Sequence, residues 1–456
     1  MEDLISKALQ EIPDYQTFLT VDQLAASTRR LAQTHPKTVE RLVIGHSRQG
    51  EPIEALKVGN GPRRAVLFGC PHPNEPIGAM MLEYLGQRLA EDKPLCDGLG
   101  FTWYLVKCID PDGTRLNQGW FKGPFSPGHY ARHYYRPPSH QQVEWTFPVH
   151  YKDLEFDRPL PETRALMSLL ERTRPHLVYS LHNAGFGGVY YYLSDPAPAL
   201  YPVLHRLPEK EGLPLALGEP EIPCARVFAP AIYEMPSITT IYDYYQQYSE
   251  VSPARLITGG TSSRDYAKEV SPGCLVLVCE MPYYYNPRVV DLAPTGLTRR
   301  EAIISNVEES QEFLDHLKVQ YGRALPELSE RSPFMDTIEQ YLDTIPRTLV
   351  VMRRWAEESP ECARPATVAE VFDNLEVSKF QRLLFGGLLL RAVEYQLARR
   401  PSCPLDQLKQ ELVAAFRSWE QQLESTLRYE VIPICSLVRI QLGSALYTAA
   451  YLSGPG

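Results

Sequence analysis

Three short stretches of this 456-residue chain carry side chains that can hold a metal ion or move a proton. In Cys70-Pro-His72-Pro-Asn-Glu75-Pro-Ile-Gly78 a histidine and a glutamate stand three apart, just after an apolar run at 65–68. That spacing can aim an imidazole nitrogen and a carboxylate at one cation; a catalytic zinc needs a third protein ligand and one position open to water. Leu181-His182-Asn183-Ala-Gly-Phe-Gly-Gly ends a second apolar run in the same way. His72, Glu75 and His182 together make the two-histidine, one-glutamate set of a hydrolytic zinc. In Gly273-Cys-Leu-Val-Leu-Val-Cys-Glu280-Met-Pro a carboxylate closes a six-residue apolar run. An acid there is costly to bury without a partner or a task. Beside a metal-activated water it can serve as general base, its pKa balanced between burial and the cation's pull. Each stretch also has a plainer reading, as a hydrogen-bonded strand-end histidine, a chance His-x-x-Glu, or a capping or ion-paired acid. Their joint position at the ends of presumed neighbouring strands favours a metal.

Those residues need a scaffold of strands ending at one edge. From 20 to 323 helical and apolar strand-like segments alternate. A Thr-capped helix is predicted over 20–31, with an acid in its first turn. Short apolar runs with glycine stops follow at 41–45, 52–59 and 64–69, the last apolar on both faces and therefore central. A helix (76–90), a strand (102–108), a helix (161–173) and a strand (176–181) complete the pattern. This predicts an α/β fold: a mixed, eight-stranded-type sheet flanked by helices, with ligand sites where the strands end. Residues 116–160, rich in Pro, Gly, His and aromatics and without a period, read as a loop over the site. After a long helix at 300–322 and a linker, every segment has helical period: 335–358, 367–375, 378–400, 405–429 and 432–452. The expected division is a catalytic domain over 1–323 and an all-helical C-terminal domain over 334–456, its apolar stripes forming a bundle core.

Composition narrows the class. With 46 basic and 55 acidic residues the net charge is −9, which argues against nucleic-acid binding, a function that needs a basic footprint. No run approaches the ~18 apolar residues that cross a bilayer, so no membrane role is expected. The acidic start, MEDLISKALQ, lacks the basic-then-apolar pattern of a signal peptide, and nine dispersed cysteines without a CxxC read as reduced. The expected location is cytoplasmic.

Six segments, in order, resemble the zinc metallocarboxypeptidase family (peptidase family M14). They are Ile44-Gly-His-Ser-Arg-Gln-Gly-Glu-Pro-Ile, His72-x-x-Glu75, Asp110-Pro-Asp-Gly-Thr-Arg115-Leu-Asn, Pro161-Glu-Thr-Arg-Ala-Leu, His182, and Thr261-Ser-Ser-Arg-Asp265-Tyr with Glu280. The resemblance covers residues 15–323. It implies one zinc per chain on His72, Glu75 and His182, with Glu280 passing a proton from water to the leaving amine. It also implies a cation, assigned to Arg115, at the developing oxyanion.

The departures bear on substrate. Family members grip the terminal carboxylate with an Asn-Arg pair in a DxNRNxx segment; the nearest match here, Gln142-Val-Glu144-Trp-Thr-Phe-Pro148, has neither. A bidentate Arg fork cannot be replaced by Glu or Trp. The replacement cation is expected from the loop, from Lys122, Arg132 or Arg136. Asn183, beside His182, is a further substrate-binding candidate. Arg264, just before Asp265, stands where the family lines the pocket for the departing side chain and would favour an acidic group; the competing reading is an ion pair with its neighbour. The sum is a zinc amide hydrolase of carboxypeptidase type acting on a small peptide or acylated amino acid, with an acidic residue released. The rivals are an aspartoacylase-like N-acyl amino acid deacylase and an inactive scaffold. The helical domain is left two roles, self-association or capping the cleft.

Overall fold

The computed structural model describes residues 1–454. Its main sheet has ten strands: β1 (Val39–His46), β2 (Pro52–Val58), β3 (Arg63–Phe68), β4 (Phe101–Val106), β5 (Leu177–Phe186), β6 (Tyr190–Leu193), β7 (Val227–Ala229), β8 (Ile232–Glu234), β9 (Leu275–Tyr285) and β10 (Glu430–Val431). In space they run β1-β2-β4-β3-β5-β9-β6-β8-β7, with β10 paired to the end of β9. The four central strands β4, β3, β5 and β9 are parallel to one another, so their carboxyl ends share one edge. The eight-stranded expectation fell short because β6, β7, β8 and β10 are two to four residues long, too short to show a period.

Alternation along the central strands sorts side chains between the two faces. Leu177, Tyr179 and Leu181 of β5 and Leu275, Leu277 and Cys279 of β9 enter one large core. Covering that face are α2 (Ile77–Glu91) and, from the far end of the chain, α9 (Ile434–Ser453). The opposite face, with Val66, Phe68, Val178 and Val276, is covered by α3 (Pro161–Thr173) and α4 (Ser263–Val270). His182 and Glu280 continue this second face, two and four residues beyond Ser180 and Val276 respectively.

The C-terminal third carries the expected helices. Helices α5 (Arg299–Ala324), α6 (Pro333–Glu358), α7 (Ser378–Leu397) and α8 (Cys403–Thr426) form where their periods predict. They do not build a separate bundle: residues of α7, α8 and α9 belong to the same core as the sheet. The C-terminal region is also not wholly helical, since β10 extends the sheet and Pro365–Thr367 pairs with Pro294–Thr298. Helix α9 is apolar around nearly its whole circumference, and such a helix is stable only when surrounded.

Residues 116–160 are pinned. They fold into a short helix (Pro127–His133) and a small hairpin (Val149–Tyr151 with Leu154–Phe156). From α7, Arg391 donates to the carbonyls of His133, Tyr134 and Leu116 at 2.6–2.7 Å. From α6, the Thr337 hydroxyl holds the Arg136 carbonyl at 2.9 Å.

Candidate metal and hydrolytic centre

The chain leaves β3 through Cys70, whose φ of 55° lies in the left-handed region that a non-glycine residue rarely adopts. This tight exit turns the next segment back over the strand end, and the Glu75 N–H closes a turn on the His72 carbonyl at 3.1 Å. His72 and Glu75 thereby face the same way before α2 begins. In β5, His182 sits opposite Glu280 of β9 in parallel register, so both side chains rise from one face. One ligand atom from each of His72, Glu75 and His182 lies within 4.8 Å of the others, all three residues being buried.

The hydrogen bonds around His182 fix its ring orientation. Ser180 Oγ lies 2.8 Å from His182 Nε2 and donates its own proton to Glu144 Oε2 at 2.9 Å. Ser180 must therefore accept from Nε2–H, which points Nδ1 at Glu75 Oε2, 3.1 Å away; Nδ1 donates to that carboxylate while the ring is charged and can ligate a cation once the proton is displaced. Glu144 is itself anchored: the Ser263 N–H and hydroxyl donate to its Oε1 at 3.0 and 2.7 Å. This orienting pair was not identified from sequence. Its one visible signal was an acid embedded in Val-Glu-Trp, where a solvent-facing carboxylate is out of place.

Electrostatics divide the two histidines. Burial, with the charges of Arg136 and His182, holds His72 well below the usual imidazole range, so it is neutral with a free lone pair. Burial pulls His182 the same way, but the carboxylates of Glu144, Glu75 and Glu280 outweigh it and raise its pKa. Burial also pushes Glu280 well above the usual carboxylate range; His182 and Arg136 pull it down, Glu221 and Glu75 add to the rise.

Of the cations considered, Arg136 is the one that reaches this cluster, with Nη1 3.4 Å from Glu75 Oε1 and Nε 3.5 Å from Gln142. Arg115 does not reach it: on the surface it bonds Asp22 at 2.8 Å and lies 3.5 Å from Glu51. The oxyanion role assigned to Arg115 is corrected accordingly, since its charge is spent on α1 (Val21–Thr34). Arg132 is likewise drawn away, to Glu394 of α7 at 2.9 Å and over the Phe416 ring of α8. Asn183 points to the other face, as alternation requires, and its carbonyl oxygen accepts from Ile77 N–H and from the Tyr283 hydroxyl. It caps α2 and does not face the cluster. Arg264 donates to Asp265 Oδ1 at 2.7 Å, the ion pair that competed with the pocket reading. The Gln142–Pro148 segment supplies no clamp: Thr146 bonds the Thr163 hydroxyl and Phe147 is core.

The other motif segments prove to be scaffolding. Ser47 and the Gln49 N–H hold Asp112, while Arg48 bridges Glu162 at 3.2 Å and Asp110 at 3.6 Å.

The family model described as zinc carboxypeptidase matches residues 24–362. The chain belongs to this family. Zinc carboxypeptidase A 1 of Anopheles gambiae is 32% identical over 129 residues, 25% of this chain and 30% of that protein. The chain thus spans about a third of the length of the curated relative it matches. Carboxypeptidase A from Helicoverpa armigera aligns over 62% of this chain and 71% of its own at 14% identity, with a TM-score of 0.38. A 'putative metallopeptidase' from Shewanella amazonensis SB2B aligns over 57% of this chain and 84% of its own at 12% identity, with a TM-score of 0.39. At these values the assignment rests on the family match and not on the superpositions.

The family's metal fits the residues present. His72 Nδ1 is buried without a hydrogen-bond partner, His182 Nδ1 is directed at Glu75, and the three residues make a set whose chemistry suits zinc. A buried nitrogen left without a partner is costly unless a ligand satisfies it.

Proposed function

We propose that the chain hydrolyses an amide or peptide bond next to a terminal residue, as a zinc-dependent metallocarboxypeptidase with one zinc per chain. The observation that carries this reading is the juxtaposition of the His72–Glu75–His182 cluster with Glu280, set beside His182 by strand register. Zinc held by the three ligands would supply a Lewis acid for the scissile carbonyl and lower the pKa of a water molecule. Glu280, its basicity raised by burial, takes the proton from the attacking water and delivers it to the leaving amine. Arg136, tethered on Glu75, presents guanidinium N–H groups to the carbonyl oxygen as charge develops there. Ser180 and Glu144 hold the His182 ring in its ligating orientation throughout.

The acidic preference suggested by Arg264 loses its physical support. Asp265 accepts from Arg264 and is further fixed by the Thr261 hydroxyl and the Ile238 N–H, so the cation is neutralised on the spot. All nine cysteines are free thiols, which supports a reducing compartment, and no helix is long and apolar enough to cross a membrane.

The test is Glu280→Gln in the zinc-loaded chain, assayed on oligopeptides and N-acyl amino acids. Turnover should fall by about 10²–10⁴-fold with zinc content unchanged. Undiminished turnover would remove Glu280 from the chemistry; no turnover of any substrate by the zinc-loaded wild type would favour a scaffold role.

A further inference from the structure

The segment between β3 and α2 that carries His72 and Glu75 is held by little of its own backbone. Pro71, Pro73 and Pro76 have no N–H to donate. Among the described residues one backbone bond joins two residues of 70–76, from the Glu75 N–H to the His72 carbonyl. A buried segment with so few bonds of its own must be fixed from outside. Asn74, buried and between the two ligands in sequence, is gripped by two tyrosines. Its carbonyl accepts from the Tyr283 hydroxyl at 3.0 Å, and its side-chain amide donates to the Tyr130 hydroxyl at 3.0 Å.

Tyr283 lies on β9 three residues beyond Glu280, and alternation puts it on the opposite face of the sheet. Its one hydroxyl proton lies between two acceptors, the Asn74 carbonyl and, at 3.4 Å, Asn183 Oδ1 of β5. That same Oδ1 accepts from the Ile77 N–H at the start of α2. One hydroxyl thus joins the segment bearing His72 and Glu75, the strand bearing His182 and the strand bearing Glu280. The ring has no freedom to follow one of them alone. It packs edge-on against Trp120 and Phe18 and tilted against Tyr130, with centroids 5.3, 6.3 and 5.5 Å away. A side chain locked by packing can hold ligands to the tolerance a metal needs.

We propose that Tyr283 is a positioning residue for the metal centre, its hydroxyl setting the His72–Glu75 segment against the strands that carry His182 and Glu280. Tyr130 supports it by fixing the Asn74 side chain. The inference rests on the zinc centre of the proposed function, and metal binding tests it apart from turnover.

The test is the zinc affinity of the full-length chain by chelator competition, for wild type, Tyr283→Phe, Tyr130→Phe and Tyr191→Phe, with melting temperatures alongside. Tyr191 is the control: it is fully buried, and its hydroxyl donates to the Leu204 carbonyl at 2.9 Å, on none of the three segments. Tyr283→Phe and Tyr191→Phe each leave a buried carbonyl short of a donor, so both should lower the melting temperature. Tyr283→Phe alone of these two should also weaken zinc binding, by about tenfold, and Tyr130→Phe should weaken it by a smaller factor. Wild-type zinc affinity in Tyr283→Phe, or an equal loss in Tyr191→Phe, would overturn the role. If Tyr283→Phe does not fold, Tyr130→Phe decides, and unchanged affinity there overturns it. No zinc binding by wild type would overturn the role together with the centre. Zinc weakened as predicted, in a chain whose wild type hydrolyses no peptide, would sink the hydrolytic reading and leave the positioning role standing.

Discussion

At His182 the ring proton on Nε2 reaches Ser180, Ser180 reaches Glu144, and Glu144 is anchored on Ser263, so ligand orientation is set by a chain of three partners. Such outer partners tune metal affinity nearly as strongly as ligands do. Glu144→Gln should weaken zinc binding by about 10–100-fold in a chelator competition; unchanged affinity would contradict the orienting role. Buried acids away from the centre make a pH prediction. Asp110 is fully buried, and desolvation lifts its pKa from 3.8 to about 6 against the pull of Arg48 and the Gly113 N–H. Because the folded pKa is the higher one, the native state binds the extra proton, and this group's contribution to stability falls as pH rises from about 4 to about 6. Wild type should therefore lose about 3 kcal/mol relative to Asp110→Asn between pH 4 and 7, read from denaturant midpoints at each pH. A difference constant with pH would contradict the assignment. Residue type and strand-end position made His72, Glu75, His182 and Glu280 legible in the sequence. They could not choose among arginines: Arg115 is drawn off by Asp22, 93 residues away, and no local signal carries that information.

Elements position these residues through close backbone approach. Helix α2 packs on β5 so tightly that a Cβ at Gly78 would stand 2.4 Å from the Leu181 side chain, next to His182. Gly78→Ala should destabilise by about 1–3 kcal/mol, as overpacking does, and displace the His182 strand. Gly273, with open space around its would-be Cβ, serves as the neutral comparison. Equal stability of the two variants would show that α2 can shift freely. The helices and central strands were legible because their periods and stops are long and clean. The short strands β6 and β8 were not, because a run such as Tyr190-Tyr-Tyr-Leu has no polar alternation to betray a face.

At the scale of the whole molecule, the family match ends at residue 362, yet the site's support does not. Strand β3 stops opposite Ser180, leaving β5 without that neighbour from Leu181 onward. Gln441, fully buried in α9, fills the deficit by donating to the His182 carbonyl at 2.9 Å. Gln441→Leu should cost about 1–3 kcal/mol, the penalty for a buried carbonyl left unpaired, and loosen metal binding with it. Full stability and affinity in that variant would show that α9 only packs. Helical period announced α9 from sequence; its contact with a strand some 259 residues earlier did not, because packing across such a separation leaves no local trace.

The most direct test of the central claim is the metal content of the purified chain, wild type against His72→Ala, by elemental analysis with folding checked by circular dichroism. The account predicts one zinc per chain in wild type and none in a folded His72→Ala variant. No zinc in wild type after zinc is supplied, or equal zinc in both, would contradict it.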